Sequence, residues 1–103
     1  MMGEDGPAII DELITVYLED TPQRLVDIAR ALGQQDGEQI RRVAHAIKSA
    51  SAAVGAMHVA TAAAELEHHD GDHQTMGPGV AKLKNDFVAA SSELTSLRTA
   101  IAA

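Results

Sequence analysis

His45 is the residue whose type and surroundings best suit chemistry. It lies in the stretch AHAIKSASAAVGA, residues 44–56. Residues at three- and four-residue spacing predict an amphipathic helix there, with one buried stripe. The stripe consists of Ile40, Val43, Ala44, Ile47, Ser51 and Val54. Because each residue of an α-helix advances about 100° around the axis, His45 lies roughly 140° from Ile40. Its imidazole is therefore predicted to face solvent.

Cations and small residues share the predicted outer face with His45, at spacings where helix side chains meet. They are Arg41 and Arg42 one turn before the histidine, Lys48 and Ser49 one turn after it, and Ala52 a further turn on. A neutral imidazole is nucleophilic near physiological pH, since its unperturbed pKa is about 6.5. In phosphoryl transfer a protein mainly positions groups and balances charge on the oxygens. The face therefore suits phosphoryl acceptance on His45, with Lys48 as the candidate for charge stabilisation.

The motif His45-x-Ile47-Lys48, followed by small residues and Gly55, resembles the signature of histidine-containing phosphotransfer (HPt) domains. That pattern is roughly His-x-Leu-Lys-Gly-Ser/Ala, with a glycine ten residues after the histidine. The flanking stretches 17–32 and 66–67 also resemble the family's neighbouring helices, so the resemblance covers most of the chain. One departure is Ser49, which stands where the family usually has glycine.

The resemblance implies a phosphorelay intermediate. His45 would accept a phosphoryl group, on its outer ring nitrogen, from an aspartyl phosphate of a receiver domain or from a kinase, and pass it to another receiver. It implies no cofactor, since the Mg²⁺ of such transfers belongs to the receiver. The expected partners are response-regulator receiver domains or a hybrid sensor histidine kinase.

Four residues of the outer face are predicted to contact such a partner: Arg41, Arg42, Ser49 and Ala52. Arginines on a helix surface often serve only solubility, which is the alternative for Arg41 and Arg42. The hydroxyl of Ser49 either bonds back to the carbonyl of His45, the favoured interpretation, or touches the phosphoryl group. A serine at this position is expected to leave phosphotransfer possible, because its side chain is small.

Composition points to a single helical domain. The chain has 103 residues, of which 46% are hydrophobic and only 2% aromatic. The core must therefore consist of Ala, Leu, Ile and Val, and the abundance of Ala, Leu, Glu and Gln favours helices. The absence of cysteine excludes a disulfide or a thiolate zinc site.

The charge and hydropathy of the chain narrow the range of partners that we expect for it. The net charge of −7 disfavours nucleic acid and anionic membranes as partners. No apolar run approaches the roughly 18 residues of a membrane span. We expect a soluble, cytoplasmic, monomeric domain, either free-standing or one module of a larger signalling chain.

Breakers and caps divide the chain into helices, with residues 1–6 expected to fray. A helix is predicted from Pro7 to about Asp20, and Thr21-Pro22 is predicted to end it and begin a second helix that closes at Gly33. Later boundaries follow from the same signals: a helix capped by Asp36 and Gln39 and ended by Gly55, another from Met57 to His68 or His69, a loop over 70–79, and a last helix from Val80. The prediction is an all-α, up-and-down antiparallel four-helix bundle with an additional short N-terminal helix, forming one domain over 1–103.

Two other functions are alternatives to that of a phosphorelay intermediate: the phosphoacceptor module of a sensor histidine kinase and a plain helical adaptor. The phosphoacceptor module of a sensor histidine kinase usually has an acid directly after its histidine and a proline five residues on, where this chain has Ala46 and Ala50. No nucleotide-binding motif is present, so the domain is expected not to phosphorylate itself and to act as a carrier. A plain helical adaptor would function unchanged with His45→Gln.

The remaining histidines offer one metal-site hypothesis. His69 and His73, with two intervening aspartates, could hold a transition metal. A solvated polar loop is favoured instead, because Gly71 lies between them and helical spacing is not assured. His58 is expected to pack or cap locally at a helix start.

Overall fold

The described residues form four α-helices, within the all-α class that the composition predicts. The computed structural model describes residues 2–102, with side chains from residue 6 to residue 101. The helices are α1 (Met2–Gly33), α2 (Gly37–Ala53), α3 (Met57–Glu67) and α4 (Gly77–Ala102), with a 3₁₀ turn at His73–Thr75. The helix α2 packs on α1 and α3, and α4 packs on α3 and α1, which is the neighbour pattern of an up-and-down bundle. The predicted all-α bundle is confirmed.

The predicted break at Thr21-Pro22 is wrong, because α1 passes through Pro22 without interruption. The predicted short N-terminal helix and the helix after it are therefore one element. A proline inside a helix costs about 3 kcal/mol. The apolar stripe, however, keeps its spacing on both sides of the proline, and each large apolar side chain that it buries contributes about 1.5–3 kcal/mol. The buried residues of this stripe are Ile14, Tyr17, Thr21, Ile28 and Ala31.

Two further boundaries differ from the prediction. The helix α1 begins at Met2 instead of Pro7, and α4 begins at Gly77 instead of Val80. Part of the predicted loop 70–79 is the 3₁₀ turn, which Asp72 caps by accepting a hydrogen bond from the backbone N–H of Gln74 at 3.0 Å. Fraying of residues 1–6 stays a prediction, and Met1 lies outside the described residues.

Both ends of α2 match the sequence signals. A carboxylate oxygen of Asp36 accepts the backbone N–H of Gln39 at 3.1 Å, which confirms the predicted N-cap. Gly55 follows the helix with φ of +77°, the left-handed conformation that glycine adopts without strain. These two caps fix where α2 begins and ends, and therefore which of its residues face outward.

The core lies between all four helices and, among the described side chains, contains one buried hydrogen bond between two helices. The hydroxyls of Tyr17 on α1 and Ser51 on α2 are 2.7 Å apart and buried. Burial raises the pKa of the Tyr17 phenol. The ring of Phe87 on α4 meets the Tyr17 ring edge-on, with centroids 5.7 Å apart. Tyr17 thus links α1 to α2 through Ser51 and to α4 through Phe87, behind the face that carries His45.

The molecule is elongated, measuring 49 × 22 × 18 Å. The helices α1 and α4 are longer than α2 and α3, and Arg98 of α4 bonds Asp11 of α1 at 3.2 Å. Within residues 2–102, every helix is too short or too polar to span a lipid bilayer.

Candidate functional site

His45 projects from the middle of α2 into solvent. Its side chain is 60% exposed, whereas Ile40, Ala44 and Ile47 on the opposite face are fully buried. The predicted orientation of the imidazole is therefore confirmed. The ring is accessible to a second protein.

A carboxylate from another helix holds the His45 ring. Glu67, the last residue of α3, places Oε2 2.5 Å from His45 Nδ1 and Oε1 2.5 Å from Lys48 Nζ. Its side chain is only 19% exposed. Since His45 and Lys48 are three residues apart on α2, one carboxylate bridges both. The site is thus built across the α2–α3 contact and not on α2 alone.

The carboxylate determines which ring nitrogen of His45 is free. An ionised carboxylate only accepts hydrogen bonds, so we assign the ring hydrogen to Nδ1. The lone pair of the neutral ring then lies on Nε2. Among the described residues, Nε2 has no hydrogen-bond partner. The nucleophilic nitrogen is therefore the one that faces away from Glu67.

The ionisation of Glu67 favours this arrangement. The hydrogen bond from Lys48 is the main cause that lowers the pKa of the Glu67 carboxyl below its usual value. Partial burial opposes this shift, while the bond to His45 and the two positive charges add to it. His68 Nε2 lies 3.8 Å from Glu67 Oε1 on a 73% exposed side chain, too far for a hydrogen bond. At neutral pH, Glu67 is a charged acceptor.

The predicted ring of cations around His45 is not formed as expected. Lys48 shares Glu67 with His45, but Arg42 bonds Glu38 at 3.1 Å on the surface. Arg41 turns toward α3 and donates to the backbone carbonyls of His69 at 3.1 Å and Gly71 at 2.9 Å. The reason is that carbonyl and carboxylate acceptors lie within reach of both arginines, while an imidazole offers them little.

The small residues on the outer face lie where the sequence predicts. Ser49 and Ala52 are exposed on α2, one and two turns after His45. The expected back-bond from the Ser49 hydroxyl to the His45 carbonyl does not form among the described hydrogen bonds, unlike those of Thr15 and Thr99 to the carbonyls four residues before them. A role of these residues in docking stays a prediction.

Among the described residues, no other histidine ring forms a hydrogen bond with His45. His69 Nε2 lies 2.5 Å from the Thr75 hydroxyl, and His73 Nε2 is buried without a hydrogen-bond partner among the described residues. His58 is exposed at the start of α3. Within the side chains of residues 6–101, no three His, Asp or Glu groups converge as metal ligands do.

Sequence reasoning missed Glu67 as a site residue. The carboxylate lies 22 positions after His45, and no local spacing links the two. One signal was available: a glutamate in the last turn of a helix faces the negative end of the helix dipole, which is unfavourable without a compensating cation. An acidic residue at that position calls for a partner on a neighbouring element.

Fold and site together define a class: a helical bundle that presents an exposed imidazole whose inner nitrogen is held by a carboxylate. The model of the Hpt domain family matches residues 12–101. The chain therefore belongs to the Hpt domain family, which confirms the resemblance of the His45 motif. Members of this family carry out histidine phosphotransfer in two-component signalling, with receiver domains and kinases as partners. Comparisons with curated proteins and with solved structures find no match.

Proposed function

We propose that His45 is the phosphoacceptor of a phosphorelay intermediate. It takes a phosphoryl group from the aspartyl phosphate of a receiver domain, or from a kinase, and passes it to another receiver. The observation that carries this proposal is the 2.5 Å contact of Nδ1 with Glu67 on a ring that is 60% exposed. It leaves Nε2 both nucleophilic and accessible.

The chemistry follows from the geometry of the ring. The Nε2 lone pair attacks phosphorus, an N–P bond forms, and the P–O bond to the donor aspartate breaks with its electrons on the departing carboxylate. The ring becomes a cation, and Glu67 stabilises that cation through the hydrogen on Nδ1. Onward transfer is the reverse step with a second receiver aspartate as the nucleophile.

Lys48 has two acceptors within this scheme. Its ammonium bonds Glu67 in the resting protein and remains 30% exposed. A phosphoryl group on Nε2 would bring further oxygens to this side of α2, and Lys48 balances their charge. The domain needs no cofactor of its own in this scheme, since the receiver supplies the Mg²⁺.

A groove beside the site suits a receiver surface. Exposed apolar residues line a cavity of about 320 Å³, among them Ile9, Leu13 and Val16 of α1 and Ala53 of α2, together with the half-buried Val54 that follows α2. Its α2 residues, Ala50 and Ala53, follow Ser49 and Ala52 directly in the chain. A receiver that reaches His45 would cover this groove and contact the exposed side chain of Arg42. We expect one receiver to bind one monomer of this domain, in the cytoplasm.

Incubation with a phosphorylated receiver domain tests the proposal. Acid-labile, alkali-stable phosphate should appear on the wild-type chain and be absent from His45→Gln, whose helical circular dichroism should match the wild type. Lys48→Ala should slow uptake without abolishing it. Label that persists in His45→Gln would overturn the proposal, and so would a wild-type chain that takes up no label.

A further inference from the structure

Arg41 reaches across from α2 to the segment that follows Glu67. It lies four residues before His45, and its side chain is half-buried. A single terminal nitrogen, Nη2, donates to the carbonyls of His69 at 3.1 Å and Gly71 at 2.9 Å. Arg41, His45 and Lys48 have i, i+4, i+7 spacing, and all three bond the C-terminal end of α3 or the loop that follows it.

The loop that Arg41 binds has a compact structure. A side chain at Gly71 would place Cβ 2.8 Å from His69 Nε2 and against the Thr75 hydroxyl, so it would displace the His69 ring or the Thr75 side chain. The Thr75 hydroxyl also donates to the carbonyl of Asp72 at 3.0 Å. The carbonyls of His69 and Gly71 are therefore held in one arrangement, and a donor fixed on α2 can bind both.

Glu67 needs such support. It lies at the carboxyl end of an 11-residue helix, where the helix dipole opposes a negative charge and terminal turns fray. The next backbone contact across to α2 is at His69, two residues later, where Arg41 binds. A cation near the last carbonyls also opposes the unfavourable dipole. Anchoring the chain at His69 and Gly71 restrains where the Glu67 carboxylate can lie.

We propose that Arg41 is a positioning residue for the phosphoacceptor. By fastening the end of α3 to α2, it keeps Glu67 on His45 Nδ1 and so keeps the Nε2 lone pair available. This inference rests on the proposed function of His45. It assigns Arg41 to the contact between α2 and the loop after α3, whereas the neighbouring Arg42 forms hydrogen bonds only with exposed residues of α2 among the described contacts.

Arg42 supplies a matched control. Arg41→Met and Arg42→Met remove the same charge from adjacent positions of α2, but Arg42 bonds Glu38 and Gln39 and not the α3 loop. In ¹⁵N-histidine-labelled protein at about pH 8.5, above the ordinary imidazole pKa, the ring nitrogens report which one carries the hydrogen. Arg41→Met should move His45 toward the Nε2–H form, and Arg42→Met should leave it unchanged.

The same variants are compared in phosphate uptake. Arg41→Met should slow transfer from a phosphorylated receiver about tenfold, the lower end of the loss found when a group that orients a metal-ligating histidine is removed. Arg41→Lys, which keeps a donor but loses the fixed guanidinium plane, should fall between wild type and Arg41→Met in both measurements. Arg42→Met should leave the ring form unchanged, whatever it does to receiver binding.

The outcomes separate the two proposals. An unchanged ring spectrum in folded Arg41→Met overturns the positioning role, whether or not transfer slows. Failure of both Arg41 variants to fold would also overturn it, in favour of a purely structural role. A shifted ring spectrum in a domain whose wild type takes up no phosphate would retain the positioning of His45 and refute the phosphoacceptor function.

Discussion

At the scale of single residues, the site depends on a carboxylate that the histidine motif does not contain. Glu67 lies against His45 and Lys48 at 2.5 Å from each, and its burial to 19% exposure keeps water from competing fully for its oxygens. The motif His-x-x-Lys therefore contains only half of the site. The other half is Glu67, the last residue of α3, whose carboxylate accepts the hydrogen on Nδ1 and, in the proposed transfer, would stabilise the charged ring.

The lowered pKa of Glu67 predicts a pH dependence of stability. A carboxyl whose pKa is lower in the folded state contributes stability above its unfolded pKa, about 4.3, and loses it as the pH falls through the folded value. The urea midpoint of the wild type should therefore exceed that of Glu67→Gln at about pH 5, and the difference should shrink below about pH 4.

Urea unfolding of both proteins at a series of pH values measures this difference. Because Glu67→Gln lacks only one titrating group, subtraction removes the effect of the other carboxyls. A difference that stays constant from pH 5 to pH 3 would show that the carboxylate gains nothing from its partners.

At the scale of elements, the length of α1 is set by packing and not by its prolines. Pro22 is exposed in mid-helix, and the buried stripe continues from Tyr17 to Ile28 past it. The helix thus forms in spite of a residue that opposes it. One consequence is that α1 offers an unbroken surface beside α2, including the groove residues Leu13 and Val16.

Pro22→Ala should raise the stability of the domain. It restores a backbone N–H in the helix interior and removes the clash with the preceding turn, so we expect the free energy of unfolding to rise by about 1–3 kcal/mol. Urea or thermal unfolding measures the change. If α1 were instead two helices with Pro22 in the first turn of the second, the substitution would be neutral or destabilising.

At the scale of the whole molecule, two grooves lie along different faces of α1, one beside α2 and the other beside α4. Val16 lines the groove beside α2, and Val26 lines a second groove against α4, with Phe87 and Val88. The two valines are equally exposed, at 48% and 50%. The proposed receiver surface includes the first groove, because it alone of the two is lined by residues of α2, Ala50 and Ala53, which follow Ser49 and Ala52 directly in the chain.

Val16→Lys and Val26→Lys therefore form a matched pair. Both replace a half-exposed valine of α1 by the same cation, and both should keep the fold. Val16→Lys should raise the concentration of phosphorylated receiver that gives the half-maximal rate of uptake, with the maximal single-turnover rate little changed, because it disrupts docking and not chemistry. Val26→Lys should leave both values near the wild type. Equal effects of the two substitutions would show that the groove beside α2 is not the docking surface.

The sequence by itself determined what depends on neighbours along the chain. Periodicity placed His45 outward, Asp36 and Gly55 bounded α2, and composition indicated an all-α bundle. Each of these follows from backbone geometry within a few residues, which sequence spacing reports directly.

Tertiary structure alone decided what depends on distant partners. Glu67 contacts His45, 22 positions away in the chain. Arg41 donates hydrogen bonds to loop carbonyls 28 and 30 positions away. The continuity of α1 through Pro22 likewise depends on the helices packed against it. Local propensity opposes a helix at that proline, and only the summed burial along the bundle outweighs it.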